Sequence, residues 1–102
     1  MISEIPLTPK PQYFNIDLAK RTYRFVLAYR NGWTLDVYST EQDSAEPIIL
    51  GLPLVTGVDI LSQYQHLGIG GALVILSDST VFAEPTRDNL GQATRLYFVT
   101  DD

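Results

Sequence analysis

Three closely spaced glycines in Leu67–Leu76, LGIGGALVIL, raise the question of a phosphate-binding loop. Such a loop needs a strand, then the glycines, then a helix N-terminus whose free N–H groups and dipole hold the anion. The order here is reversed, because GVDILSQYQHL before the glycines has a helical pattern and ALVIL after them reads as a strand. The position that should close the G-x-G-x-x-G pattern is also Leu73. We therefore interpret Gly68 as a helix stop, and Gly70 and Gly71 as a corner where a Cβ atom would collide with a neighbour.

Nucleophilic or metal chemistry would depend on His66, the single histidine of the chain. It excludes a histidine-rich metal site, and no serine stands in a G-x-S-x-G elbow. His66 falls in the last turn of the predicted helix, where a histidine interacts favourably with the helix dipole or caps a carbonyl group. An enzyme that uses His66 with Asp59 is therefore the least favoured hypothesis, and we expect no catalytic residues.

Paired carboxylates and clustered aromatic rings are the other candidate chemistry. A glycosidase needs two carboxylates across a sugar cleft, but Asp17 and Asp36 lie on the polar side of alternating strands, where solvated acids are routine. The remaining candidate acids are Asp59, Asp78 and Glu84. The aromatic residues favour core and cross-strand packing, although a small non-catalytic sugar- or peptide-binding module that uses them stays the alternative function. These aromatic residues are Tyr13, Tyr23, Tyr29, Trp33, Tyr38 and Tyr97.

Composition bounds the class of protein. The 102 residues are 45% hydrophobic and 19% charged, which predicts one globular domain, and no apolar run is long enough to cross a membrane. The absence of cysteine excludes disulfides and thiolate sites, and we expect no cofactor or metal. The opening MISEIPLTPKPQ lacks a signal-peptide pattern, so we expect assembly in a cytoplasm. A net charge of -5 disfavours a specific nucleic-acid partner.

The elements that must position these residues are mostly strands. Period-two alternation predicts antiparallel strands, and Asn31-Gly32 is a strong hairpin signal. Thr56 and Asp59 resemble a capping box that opens a helix over about residues 57–67. The fold class is mainly β: a small antiparallel β-barrel or sandwich with one short helix. Strands are predicted at 13–18, 22–30, 33–39, 47–51, 72–76, 81–84 and 94–100.

The N-terminal residues have a composition of their own. Proline fixes its backbone angle and donates no hydrogen bond, so residues 1–12 are predicted to be an extended proline-rich arm attached to a single β-rich domain at 13–102. Its apolar side chains favour docking, either on its own domain or on a neighbouring subunit, and a frayed terminus is the alternative interpretation. The candidate assembly residues are Ile2, Ile5, Pro6, Leu7, Pro9 and Pro11.

The order of several segments resembles one family of small phage tail proteins. EIPLTPKPQYFNIDLAKRTYRFVLAYR, then NGWTLDVYS, then PIILGLPLVTGVDILSQYQHLGIGGALVIL, and finally PTRDNLGQATRLYFV together resemble the cyanophage baseplate plug family. The most specific pieces are GLPLVTGVDILSQYQHLGIGG and the later TRDNLG, and the similarity covers almost the whole chain.

The resemblance implies a structural protein of a contractile-tailed virion, central in the baseplate near the hub and the lower end of the tail tube. It implies no catalytic motif. The implied partners are other baseplate hub and tail-tube proteins, with a symmetric homo-oligomer in the virion. For residues 1–12, the expectation is contact with another protein chain in the particle.

Overall fold

The computed structural model describes residues 1–40, 46–77, 85–87 and 89–100, which form seven strands and one 3-10 helix. The helix spans Ser62–Leu67. The strands are β1 (Ile2–Ile5), β2 (Gln12–Leu18), β3 (Arg21–Tyr29), β4 (Trp33–Ser39), β5 (Glu46–Pro53), β6 (Ala72–Ser77) and β7 (Thr94–Val99).

The strands form two antiparallel sheets. One sheet has three strands in the order β1-β7-β6, and the other has four in the order β2-β3-β4-β5. The predicted mainly β, antiparallel fold is confirmed. The barrel alternative is wrong, because the described strands form two separate sheets that share no strand. The segment after β5 joins the sheets on one side, because Thr56 and Asp59 form isolated bridges to β6.

One hydrophobic core lies between the sheets. The central inner-face residues of β3 and β4 are buried, with Phe25 and Leu35 completely inaccessible. From the three-stranded sheet, Ile75 and Leu96 are equally buried and belong to the same cluster. This alternation is what period-two apolar spacing predicts for strands with one face in a core.

Two hairpins connect the strands of the β2–β4 meander. The Asn31-Gly32 signal is confirmed, since Asn31 and Gly32 have φ of 56° and 134° at the tip between β3 and β4. The β2–β3 turn is different, because Ala19 and Lys20 adopt φ of 50° and 73° without being glycine or asparagine. Left-handed backbone costs about 1–2 kcal/mol for such a residue.

Lys20→Gly should therefore stabilise the protein. Glycine removes the clash of a Cβ atom at positive φ, and its larger unfolded-state entropy offsets only part of the gain, so the free energy of unfolding should rise by about 0.5–1 kcal/mol. Urea unfolding measures it, with Arg21→Gly in β3 as the control expected to lower stability. A lower unfolding midpoint for Lys20→Gly would contradict the strained turn.

The predicted helix over 57–67 is largely wrong. Only Ser62–Leu67 is helical, as a 3-10 segment with a non-helical kink at Tyr64. Thr56 and Asp59 do not cap it, because Thr56 bridges Ile75 and Asp59 bridges Val74. The stop at Gly68 is confirmed, with φ of 67° and its N–H donating to the Gln65 carbonyl at 3.1 Å.

The glycine corner is as predicted. A Cβ atom on Gly70 would lie 3.0 Å from the Cβ of Ala19, and one on Gly71 would lie 2.6 Å from the Val99 carbonyl oxygen. These glycines allow the chain entering β6 to pass against the β2–β3 turn and against β7. The corner is therefore a packing device, and no phosphate loop follows from it.

The separate proline-rich arm is also not what the structure has. Residues 2–5 form β1, which pairs antiparallel with β7, and the side chain of Ile5 is buried in the core. The prolines at 6, 9 and 11 follow the strand and do not interrupt it. This agrees with the exclusion of proline from central strands, because the prolines at 6, 9 and 11 lie outside the strands and β1 itself is at a sheet edge.

Other sequence expectations have mixed outcomes. The strand predicted at 72–76 is confirmed as β6, in which Leu73 and Ile75 are buried whereas Leu76 on the other face is 46% exposed. The predicted strand at 81–84 lies outside the described residues. Over the described part of the chain, no helix is both long and apolar enough to cross a membrane.

Candidate assembly surface

Asp59 and His66, the side chains with possible acid–base chemistry, have separate places in the structure. Asp59 accepts hydrogen bonds from the backbone N–H groups of Leu61 and Leu73, at 2.9 and 3.2 Å. His66 is exposed in the last turn of the 3-10 helix, with its ring 6.5 Å from that of Tyr64. No described hydrogen bond joins His66 to Asp59, so the structure does not assemble the acid–base pair.

The candidate carboxylates are likewise dispersed. Asp17 accepts a hydrogen bond from the Thr22 hydroxyl, and Asp36 accepts one from the backbone N–H of Gly51 at 2.7 Å. Asp78 and Glu84 lie outside the described residues. Among residues 1–40, 46–77, 85–87 and 89–100, no three His, Asp or Glu side chains are placed to hold a metal ion.

The aromatic side chains divide between the core and the outer sheet face. Tyr23 and Trp33 are buried, and the Trp33 indole N–H donates to the Thr86 carbonyl at 2.7 Å. Tyr29 packs edge-on against Trp33, with ring centroids 5.3 Å apart. Tyr97 lies half-buried on β7. Core packing is therefore confirmed for these two buried rings, but it does not hold for the whole set.

Tyr13 is the clearest exception, because 75% of it is exposed on the outer face of β2. With Arg24, Val26 and Tyr38 it lines a shallow cleft of about 270 Å³. The Nε of Arg24 donates to the Asn15 side-chain oxygen at 3.1 Å. This cleft is the part of the sheet surface that corresponds best to the sequence-predicted aromatic binding module.

The predicted assembly residues of the N-terminal segment also separate into two groups. Ile5 and Leu7 contact the core of their own domain, with 2% and 8% exposure. Ile2 is 64% exposed, Pro6 and Pro11 are exposed, and Pro9 is half-buried. Only this second group has surface available to another protein chain.

Among the residues that the structure describes, no strand pairs with the outer edge of β1. Met1 and Thr100 exchange two backbone hydrogen bonds at 2.8 and 2.9 Å, which fixes the alternation along the β1–β7 ladder. In an antiparallel ladder the next residue points its N–H and C=O away from the partner strand. The N–H and C=O groups of Ile2 and Glu4 therefore face away from β7, on the side where the sheet ends.

The sandwich is open beside this edge. A groove of about 410 Å³ lies between the sheets and is lined by Ser3 and Ile5 of β1, Ile16 of β2 and Phe98 of β7. Phe14 and Ile16, on the inner face of β2, are only partly buried, whereas their neighbours Phe25 and Tyr23 on β3 are buried. Counting described strands alone, the three-stranded sheet has one strand fewer than the four-stranded sheet that it faces.

Sequence reasoning missed this open side. Alternation marks Phe14 and Ile16 as inner-face residues, but it carries no information on the width of the facing sheet. The signal in the sequence is the apolar start of the chain, which predicts an arm and is instead an edge strand.

Comparisons with known proteins identify the family. The family model described as cyanophage baseplate Pam3 plug gp18 matches residues 2–101 of this 102-residue chain. Neither the curated proteins nor the solved structures gave a match. The match spans both sheets, the glycine corner and the β1 edge, so it concerns the whole fold. This chain belongs to the cyanophage baseplate plug family.

Proposed function

We propose that this chain is a non-enzymatic structural component of a contractile phage tail, located in the baseplate near the hub at the lower end of the tail tube. The observation that carries the proposal is the family match over residues 2–101. A baseplate plug is a structural protein of the virion tail baseplate and interacts with other tail and baseplate proteins. The finer position, at the hub of a contractile tail, is part of the proposal.

The surface supports a function by contact. Met1, Ile2, Leu50 and Val58 are each more than half exposed although apolar. The carboxylates of Asp17, Asp36 and Asp59 accept hydrogen bonds within the fold. A protein with this distribution acts through buried area, on the order of 1,600 Å² for a standard stable interface.

Three further elements belong to the same proposal. Several copies assemble symmetrically in the virion, because closed symmetry repeats each contact. Assembly takes place in the cytoplasm of the bacterial host. Of the N-terminal residues, the exposed Ile2, Pro6 and Pro11 and the half-buried Pro9 contact a neighbouring protein.

Copy number in purified tails tests the function. Quantitative mass spectrometry with isotope-labelled peptides should give a fixed ratio of this chain to the tail-tube protein, unchanged by high-salt washing and between preparations. A soluble ligand-binding module would instead be lost during washing. Loss of the chain from washed tails would contradict the structural function.

A further inference from the structure

We propose that an extended segment of another baseplate protein adds to the free edge of β1, forming a fourth strand of the three-stranded sheet and covering Phe14 and Ile16. The inference rests on the proposed function and names the kind of partner contact through which the plug is held. This chain therefore receives a strand at its edge, in contrast to an N-terminal arm that it would donate to a neighbour.

The backbone of β1 determines the class of ligand. The N–H and C=O groups of Ile2 and Glu4 point outward from the sheet, and an extended peptide is the ligand whose own alternating backbone groups match them. β1 is short and carries one charge, Glu4, but it has no lysine or proline that would block pairing, and Ile2 is 64% exposed. At the other edge of the same sheet, the Gly57 N–H donates to Ile75 at 2.8 Å, so β6 is already covered.

The groove determines the side chains of the added strand. A strand beside β1 would direct every second side chain inward, over Ile16 in the groove and toward Phe14, the next inner-face residue of β2. Ser3 and Ile16 line the groove there, so small or medium apolar side chains suit the inward positions. Covering Phe14 and Ile16 would make the inner face of β2 as inaccessible to solvent as the centres of β3 and β4. The three existing strands of the facing sheet already cover those centres.

Charge distinguishes a different protein from a second copy. Glu4 and Asp17 stand on the walls of the groove, with Lys20 at its turn end, and the chain carries a net charge of -5. A second copy paired through the same edge would bring its own four-residue β1, with a second Glu4 carboxylate, alongside the first. Like charges on paired strands are destabilising. A segment with a basic side chain beside Glu4 and Asp17 is the complementary partner. The Arg95 guanidinium lies 3.6 Å from the Glu4 carboxylate, but this ion pair is exposed to solvent and contributes little to stability.

Glu4→Pro tests the backbone contact directly. The Glu4 N–H points away from β7, so proline removes the donor offered to the added strand while every β1–β7 hydrogen bond stays. Glu4→Ala is the matched control, because it removes the carboxylate and keeps the N–H. With each variant supplied to phage lacking the gene, Glu4→Pro should lower the amount in washed tails about tenfold relative to Glu4→Ala. Equal incorporation of the two variants would overturn the proposal.

A photo-crosslinking experiment identifies the occupant and does not depend on the folding of the proline variant. Ile2 is replaced by p-benzoyl-L-phenylalanine, and tails that contain the chain are irradiated. Crosslinks should map to one segment of a different tail protein, and the same probe at Leu76, which is 46% exposed on β6 at the opposite edge of the sheet, should not label that segment.

The outcomes separate the two proposals. Crosslinks from position 2 to another copy of this chain, or none in tails that hold the chain, would overturn strand addition while leaving the structural function intact. Absence of the wild-type chain from washed tails would contradict the function itself.

Discussion

Replacing Gly91 with alanine is expected to remove a large part of the stability of the protein. Gly91 has φ of +80°, and a Cβ atom there would lie 2.6 Å from the carbonyl carbon of Leu7 and still closer to its oxygen. Neither group is free to move, since Leu7 is buried in the core and the Gly91 N–H donates to the Thr94 carbonyl at 2.7 Å. The overlap with backbone adds to the left-handed strain, so we expect a loss of about 3–5 kcal/mol, against a typical total of 5–15 kcal/mol.

Gly51→Ala is the matched control for this prediction. Gly51 has a similar φ of +72°, but nothing lies within 4 Å of a Cβ atom at that position. It therefore reports the backbone strain alone, about 1–2 kcal/mol. Urea unfolding followed by circular dichroism measures both variants, and equal losses would show that Gly91 does not hold the N-terminal segment against the 89–94 loop.

Deletion of residues 1–7 is expected to prevent folding. The deletion removes the edge strand β1 and with it the buried side chains of Ile5 and Leu7. Truncation of a buried isoleucine or leucine costs about 2–5 kcal/mol each, and the loss of both approaches the total stability of a small domain. It also leaves the edge of β7 unpaired, which favours aggregation. This result differs from the sequence-based prediction of an arm at residues 1–12 attached to a domain at 13–102.

Ile2→Ser supplies the control for the deletion. The Ile2 side chain is 64% exposed, so its replacement should leave the free energy of unfolding within about 0.5 kcal/mol of the wild type. Circular dichroism and size-exclusion chromatography of the purified chains compare the two. A truncated chain that stays folded and monodisperse would show that β1 is dispensable to the domain.

The sequence predicts the meander well because its signals are local. Alternating apolar residues identify β2, β3 and β4, and Asn31-Gly32 identifies the second hairpin. The first hairpin has no such signal, because its tip is formed by Ala19 and Lys20 in a conformation that these residue types disfavour. Its position follows only from the alternation on either side.

The errors occur where pairing joins distant parts of the chain. β1 pairs with β7 more than ninety residues away, and its pattern of Ile2 outside and Ile5 inside has no period of two. Thr56 and Asp59 have the spacing of a capping box, but both bridge β6 instead. Local spacing predicts a helix start at these residues, but they pair with β6 through bridges to positions distant in sequence. A single sequence carries no signal for such pairing.

The candidate surface was predictable only in part. Ile2 was selected as an apolar residue in a proline-rich segment, and its exposure keeps it available for contact. The free edge of β1 and the half-buried Phe14 and Ile16 depend on how wide each sheet is and on which strands end it. These are properties of the topology, and they appear only once the two sheets are placed together.

A reconstruction of the intact baseplate tests the central claim most directly. We predict density for this chain inside the baseplate, with a strand of another protein alongside Ile2–Ile5 and side chains over Phe14 and Ile16. A baseplate without this chain would contradict the structural function, and a chain present with the β1 edge facing solvent would contradict strand addition.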